Sequence, residues 1–167
     1  MKCKEYETKT GKPIRLFNGD CMKFMADLED NAYQLAIVDP PYEGKSDVTN
    51  LQSSQNKHRA KRNEYKEYDN KKPDARYFRK IDKVAKKWII WGGNYFSITG
   101  GVIAWNKNGT AFGEGEIAIC NTHKSVTFYE CTWNGMIQHD MKNKEHRIHV
   151  HQKPVKLYRW LLQNYAE

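Results

Sequence analysis

Gln34-Leu35-Ala36-Ile37-Val38 runs directly into Asp39-Pro40-Pro41-Tyr42, so an apolar stretch breaks into an acid, two prolines and a tyrosine. A short apolar run without polar alternation suits a strand buried on both faces. Upstream, Ile14-Arg15-Leu16-Phe17 reads as another strand, ending at the turn Asn18-Gly19-Asp20. Asp20 can cap a helix through its side-chain oxygen. Cys21, Phe24, Met25 and Leu28 then recur at i, i+3, i+4 and i+7, which is one helix face. Strand, helix and strand within about 25 residues predict a parallel crossover unit.

Downstream, Pro73-Asp74 opens a second helix, with Tyr77, Phe78, Ile81, Val84, Ala85 and Trp88 on its apolar period. Trp88-Ile89-Ile90-Trp91 follows as a buried strand, ended by Gly92-Gly93-Asn94. Val102–Trp105, Glu116–Cys120 and Ser125–Trp133 read as three more strands. Pro154 starts a last helix, striped by Val155, Tyr158, Leu161, Leu162 and Tyr165. The expected fold class is α/β: one domain over residues 1–167, with helices flanking a mostly parallel sheet. In such sheets ligands bind beyond the carboxyl ends of the strands. That places residues 18–20, 39–42 and 92–94 on one rim.

The chain has 167 residues and a net charge of +8. Between Gly44 and Lys87 stand 14 Lys or Arg against 6 Asp or Glu, so this quarter carries the whole excess. Residues 43–72 read as a basic loop, densest at Lys57, Arg59, Lys61 and Arg62, with Tyr65 and Tyr68 just beyond. Cations interleaved with aromatics suit phosphates and unstacked bases, so a polyanionic partner is expected. A solvated surface loop has the same composition. No apolar run approaches the roughly 20 residues of a membrane span. Four cysteines without a Cys-x-x-Cys pair fit a reducing cytoplasm better than a zinc ribbon or a disulfide scaffold. His146, His149 and His151 are loosely spaced and lack a completing Cys or carboxylate pair, so no metal site is expected.

The chemistry centres on Asp39-Pro40-Pro41-Tyr42. Pro40 forces Asp39 into an extended conformation, and neither proline has an N–H. The segment is rigid and presents two acceptors, the Asp39 carboxylate and the Pro40 carbonyl, beside the flat face of Tyr42. This suits a planar base carrying an exocyclic amine. Drawing both N–H protons toward fixed acceptors frees the nitrogen lone pair, which in the free base is delocalised into the ring.

Asp-Pro-Pro-Tyr after a hydrophobic strand resembles the catalytic motif of the amino-group DNA methyltransferases. Three further segments, in order, are similar to their β class: Leu16-Phe17-Asn18-Gly19-Asp20-Cys21, Trp91-Gly92-Gly93-Asn94-Tyr95-Phe96, and His149-Val150-His151-Gln152-Lys153-Pro154-Val155. The last departs from the family's His-Pro-Thr-Gln-Lys-Pro at Val150 and His151. The resemblance implies a Rossmann-like fold dependent on S-adenosylmethionine, incomplete at its C-terminus because no Gly-rich cofactor loop follows the Lys-Pro helix. It implies methyl transfer to N6 of a flipped-out adenine in DNA, with N4 of cytosine as the alternative. A non-catalytic basic nucleic-acid-binding module with a degenerate methyltransferase fold is the reading from another class. By resemblance, Asp39, Pro40, Pro41 and Tyr42 are catalytic, and Asp20, Cys21, Asp39, Lys153 and Pro154 border the cofactor. Asp20 equally suits a plain helix cap, residues 92–94 a tight turn, and Pro154 a helix start. A cytoplasmic bacterial or phage-encoded enzyme, of the kind found in restriction-modification, is the implied setting. A sheet lacking its cofactor strands would leave an unpaired edge beside residues 14–17 or 35–38, and such an edge invites a homo-oligomer.

Overall fold

A computed structural model of the chain describes residues 2–42, 71–109, 113–133, 137–146 and 152–166. Its elements in chain order are β1 (Lys2–Glu7), β2 (Pro13–Asn18), α1 (Cys21–Ala26), β3 (Tyr33–Val38), α2 (Ala75–Val84), β4 (Ala85–Trp91), β5 (Gly101–Asn106), β6 (Gly115–Cys120), β7 (Val126–Glu130) and α3 (Val155–Tyr165). A single 3-10 turn, Gly93–Tyr95, follows β4.

These elements overturn the expected Rossmann-like, mostly parallel sheet flanked by helices. The molecule is mostly β: a two-stranded antiparallel sheet, a five-stranded mixed sheet and three short helices among the described residues. The larger sheet has the order β3-β4-β6-β5-β7. Pairs β3–β4 and β5–β7 are parallel, whereas β6 runs antiparallel to both β4 and β5. The reason lies in the connection between β5 and β6. A link this short cannot make the crossover that a parallel pair requires. Asn108 (φ 57°) and Gly109 (φ 70°) bend the chain back, and Lys107 N donates to the Glu114 carbonyl at 2.8 Å. The expected crossover unit fails as well. Among the described residues β2 pairs with β1 alone, antiparallel from Lys2↔Asn18 to Glu7↔Pro13, and does not join β3.

Period-two alternation gives the larger sheet two apolar faces. Ile89 and Trp91 of β4 face one core, with Ile103 and Trp105 of β5 and Leu157 and Leu161 of α3. Trp88 and Ile90 face the other, with Ile119 of β6, Ile81 and Val84 of α2 and Met25 of α1. Each such buried side chain contributes about 1.5–3 kcal/mol of transfer free energy. Asp20 caps α1 by accepting from Met22 N at 2.8 Å, and Asp74 caps α2 by accepting from Arg76 N at 2.8 Å. The second helix is shorter than its apolar period suggests. Ala85 and Trp88 belong to β4, because Ala85 turns extended (φ −129°, ψ 133°) directly after Val84. No helix among the described residues is long and apolar enough to cross a membrane.

β3, β4, β5 and β7 all point one way, and β6 the other. The C-terminal ends of those four strands and the start of β6 therefore lie along one rim. The chain after β3, the Gly92 turn after β4, Lys107 after β5 and Glu116 of β6 are all brought to it.

Candidate functional site

Asp39 leaves the end of β3 with both carboxylate oxygens engaged. Tyr42 Oη donates to its Oδ1 at 2.7 Å, and Lys153 Nζ donates to its Oδ2 at 2.6 Å. Lys153 also lies 3.1 Å from Glu116 Oε2, and Lys107 Nζ bonds Glu116 Oε1. Five side chains from the ends of β3, β5 and β6 and the lead-in to α3 thus form one chain of contacts: Tyr42, Asp39, Lys153, Glu116 and Lys107. The two cations lie over aromatic rings, Lys153 Nζ 5.3 Å from the Trp91 centroid and Lys107 Nζ 4.8 Å from that of Trp105. Such contacts stabilise a cation that is short of water.

The lead-in to α3 is held in place by its neighbours. Trp133 Nε1 donates to the Gln152 carbonyl at 2.7 Å, and Glu145 Oε2 accepts from Val155 N at 2.9 Å. Glu145 is itself bracketed by the buried Gln138 side chain, which donates to its carbonyl at 2.9 Å and accepts from its N–H at 2.7 Å. Lys153 therefore sits on a fixed backbone. Pro154 stands at the N-cap, one position earlier than the first helical residue, and is buried.

The electrostatics follow from this pairing. Burial pulls the Lys153 ammonium down, but Glu116 and Asp39 outweigh it and hold the group above its ordinary value. Burial pushes Glu116 up, but Lys153 and Lys107 outweigh that and hold its carboxyl below the usual carboxylate value. Burial, then the Asp39 charge, push the Tyr42 phenol far up, so it remains a proton donor to Asp39.

Beside this charge cluster lies an aromatic platform. The Tyr42 ring is 5.1 Å from that of Tyr95 and 6.1 Å from that of Phe96, which in turn is 4.9 Å from Phe78. Lys72 Nζ lies 5.4 Å from the Phe96 centroid. Tyr95 is 58% exposed, so the platform opens to solvent there. Gly92 is the position that permits it. It adopts φ 63°, and a Cβ there would stand 2.0 Å from a Tyr42 ring carbon. The tight turn expected at residues 92–94 is therefore also the seat of the Tyr42 ring.

The rim brings Asp39, Tyr42 and Lys153 together. Pro40 is buried and Pro41 exposed. Asp20 and Cys21 belong to the start of α1, outside the larger sheet, where Asp20 is the helix cap. Tyr77 of α2 has its phenol raised, first by burial and then by its neighbours Cys21 and Asp39. Lys57, Arg59, Lys61 and Arg62 lie outside the described residues, as do His149 and His151. Glu116, Lys107 and Tyr95 escaped the sequence reading. The hairpin signal Asn108-Gly109 would have placed the first two on the rim, because it folds the start of β6 back beside the end of β5.

The S-adenosylmethionine site implied by resemblance fits these residues in part. Asp20 and Cys21 are exposed and can face a ligand. Lys153 does not fit: its side chain is 7% exposed and engaged by two carboxylates, and Pro154 beside it is buried. No protein-family model, no curated protein and no solved structure matches this chain.

Proposed function

We propose that this protein transfers a methyl group to the exocyclic N6 of a flipped-out adenine in double-stranded DNA, in the cytoplasm. S-adenosylmethionine would supply the methyl group. The observation that carries the reading is the Asp39 carboxylate, gripped by Tyr42 and Lys153 beside an aromatic platform that opens to solvent. A carboxylate offers about four lone-pair sites, and two remain after those two donors. An exocyclic amine brought to the rim can donate an N–H to one of them. Asp39 then withdraws proton density from the amine while its own position is fixed, so no reorganisation is needed as the nitrogen becomes nucleophilic. Tyr42 orients Asp39 through its hydroxyl, and its ring, with Tyr95, offers a face to a base.

DNA as the partner rests on the charge: +8 overall, all of it between Gly44 and Lys87. Phosphate contacts supply affinity without sequence information, and the rim would supply the chemistry. The same charge favours one other reading, a nucleic-acid-binding module without catalysis. Radiolabelled methyl transfer to duplex DNA separates the two. The enzyme labels DNA and loses that ability on Asp39→Ala while still binding DNA. Binding without labelling by the wild-type chain supports the module instead.

A further inference from the structure

We propose that Glu116 is a positioning residue for this site: it holds Lys153, and Lys153 holds the Asp39 carboxylate in the orientation that receives the target amine. The inference rests on the methyl-transfer reading of Asp39, and it moves Lys153 from the cofactor to the amine-binding carboxylate.

Asp39 stands at an edge of the larger sheet, since β3 is one of its two outer strands. A carboxylate there turns about its side-chain torsions unless both oxygens are held. Tyr42 holds one and Lys153 the other. A lysine is a poor anchor by itself, because its four-carbon stem is flexible and its ammonium is a point charge. Lys153 is made rigid by a second carboxylate at 3.1 Å and by the Trp91 ring beneath it. Glu116 is fixed in turn by Lys107, which rests over Trp105. Two cations and two carboxylates balance, so the cluster leaves no net charge in a region where Lys153 is 7% and Lys107 12% exposed. Partly buried ion pairs such as these contribute little stability beyond what apolar packing would. What the arrangement does determine is where the Asp39 oxygens point.

The groups facing Lys153 are Asp39 with Tyr42 from the β3 end, Glu116 from β6, Lys107 from the β5 end through Glu116, and Tyr158 from α3; Glu145 lies at the start of that helix. Without Glu116, burial of Lys153 is opposed by Asp39 alone, so the ammonium loses its proton at lower pH. Without Lys107, Glu116 loses the contact that fixes it, and its hold on Lys153 loosens.

The test is methyl transfer to duplex DNA by the full chain, at a fixed high concentration of S-adenosylmethionine. Wild type, Glu116→Gln and Lys107→Met are compared across pH, with circular dichroism of each. Displacing a reacting group by about 1 Å costs on the order of 100-fold in rate. Glu116→Gln is expected to lower kcat about 10- to 100-fold with little change in KM for DNA. The alkaline limb of its pH profile should move to lower pH, and Lys107→Met, which frees Glu116 on one side, should lower kcat with KM for DNA little changed. A folded Glu116→Gln with wild-type kcat and pH profile overturns the inference and leaves the methyl-transfer reading standing. Should Glu116→Gln not fold, Lys107→Met decides: a folded variant with wild-type kcat and KM overturns the inference. A wild-type chain that binds DNA and transfers no methyl overturns both.

Discussion

Lys153→Met removes one ammonium and keeps most of the volume of the stem. In the wild-type chain that ammonium contacts Asp39 Oδ2 at 2.6 Å and Glu116 Oε2 at 3.1 Å, with 7% of the side chain exposed. Breaking a fully buried pair costs about 3–5 kcal/mol, because a charge is left without a partner. Breaking an exposed pair costs at most about 1 kcal/mol. This cluster lies between those limits. Both carboxylates are 32% exposed, so water reaches them, and each keeps one donor, Tyr42 for Asp39 and Lys107 for Glu116. The expected loss is about 2–3 kcal/mol. For a chain of this length that lowers the melting temperature by about 5–10 °C. Thermal unfolding at neutral pH by circular dichroism measures it, and a double-mutant cycle with Asp39→Ala isolates the pair. A coupling of about 1 kcal/mol or more is expected, since contacting residues are not additive. An unchanged melting temperature, with the cycle additive to within about 0.5 kcal/mol, would show that Lys153 and Asp39 do not pair in solution. The positioning of Asp39 would fall with it.

Asp39→Ala should reduce methyl transfer to duplex DNA by at least about 100-fold while duplex affinity changes little; activity within a few-fold of wild type would sink the catalytic assignment. Tyr42→Ala should weaken target binding by about 1–3 kcal/mol, and Tyr42→Phe should remove the Asp39 hydrogen bond yet keep the ring, which fluorescence titration with an unpaired target base would separate. Changing Lys57, Arg59, Lys61 and Arg62 together to Ala should flatten the plot of log affinity against log salt by about 0.9 per lost phosphate contact; an unchanged slope would make the loop a solvated surface. S-adenosylmethionine should bind this 167-residue chain weakly, because Lys153 is engaged elsewhere; a calorimetric Kd below about 10 μM would contradict that. Glu116 has a folded pKa below its ordinary 4.5, so its stabilising contribution is present above that value and is lost as pH falls through the folded one. Acid unfolding of Glu116→Gln should therefore be flatter below pH 4.5 than that of wild type, and parallel acid limbs would argue against the pairing.

Local patterning was enough to locate most of the elements. The runs at residues 34–38, 102–105 and 116–120 are strands, and the periodic stripes after Asp20 and Pro154 are helices. Those patterns act within one turn or one pleat, so they can be read without knowing the fold. The boundary between α2 and β4 could not be read in this way. Ala85 and Trp88 satisfy a helical period from Ile81 and Val84 and do not alternate as a strand would, and it is pairing with β3 that draws them into β4. β1 carries no apolar alternation, since Lys2-Cys3-Lys4-Glu5-Tyr6-Glu7 is exposed throughout, and it exists through its pairing with β2.

Asp39-Pro40-Pro41-Tyr42 was legible as a rigid exit from a strand, because two prolines leave the backbone little freedom, although that strand, β3, is a half-exposed edge strand and not the buried one its apolar run suggests. The direction of β6, and with it the mixed sheet, was decided by a reversal between β5 and β6 that brings distant strands side by side. That reversal carries Glu116 to the rim, and the docking of α3 carries Lys153 to Asp39 across a separation of 114 residues. An ion pair at such a distance in the chain has no local signature. It exists because the sheet and α3 place both backbones first, and the charges then find each other where water is scarce.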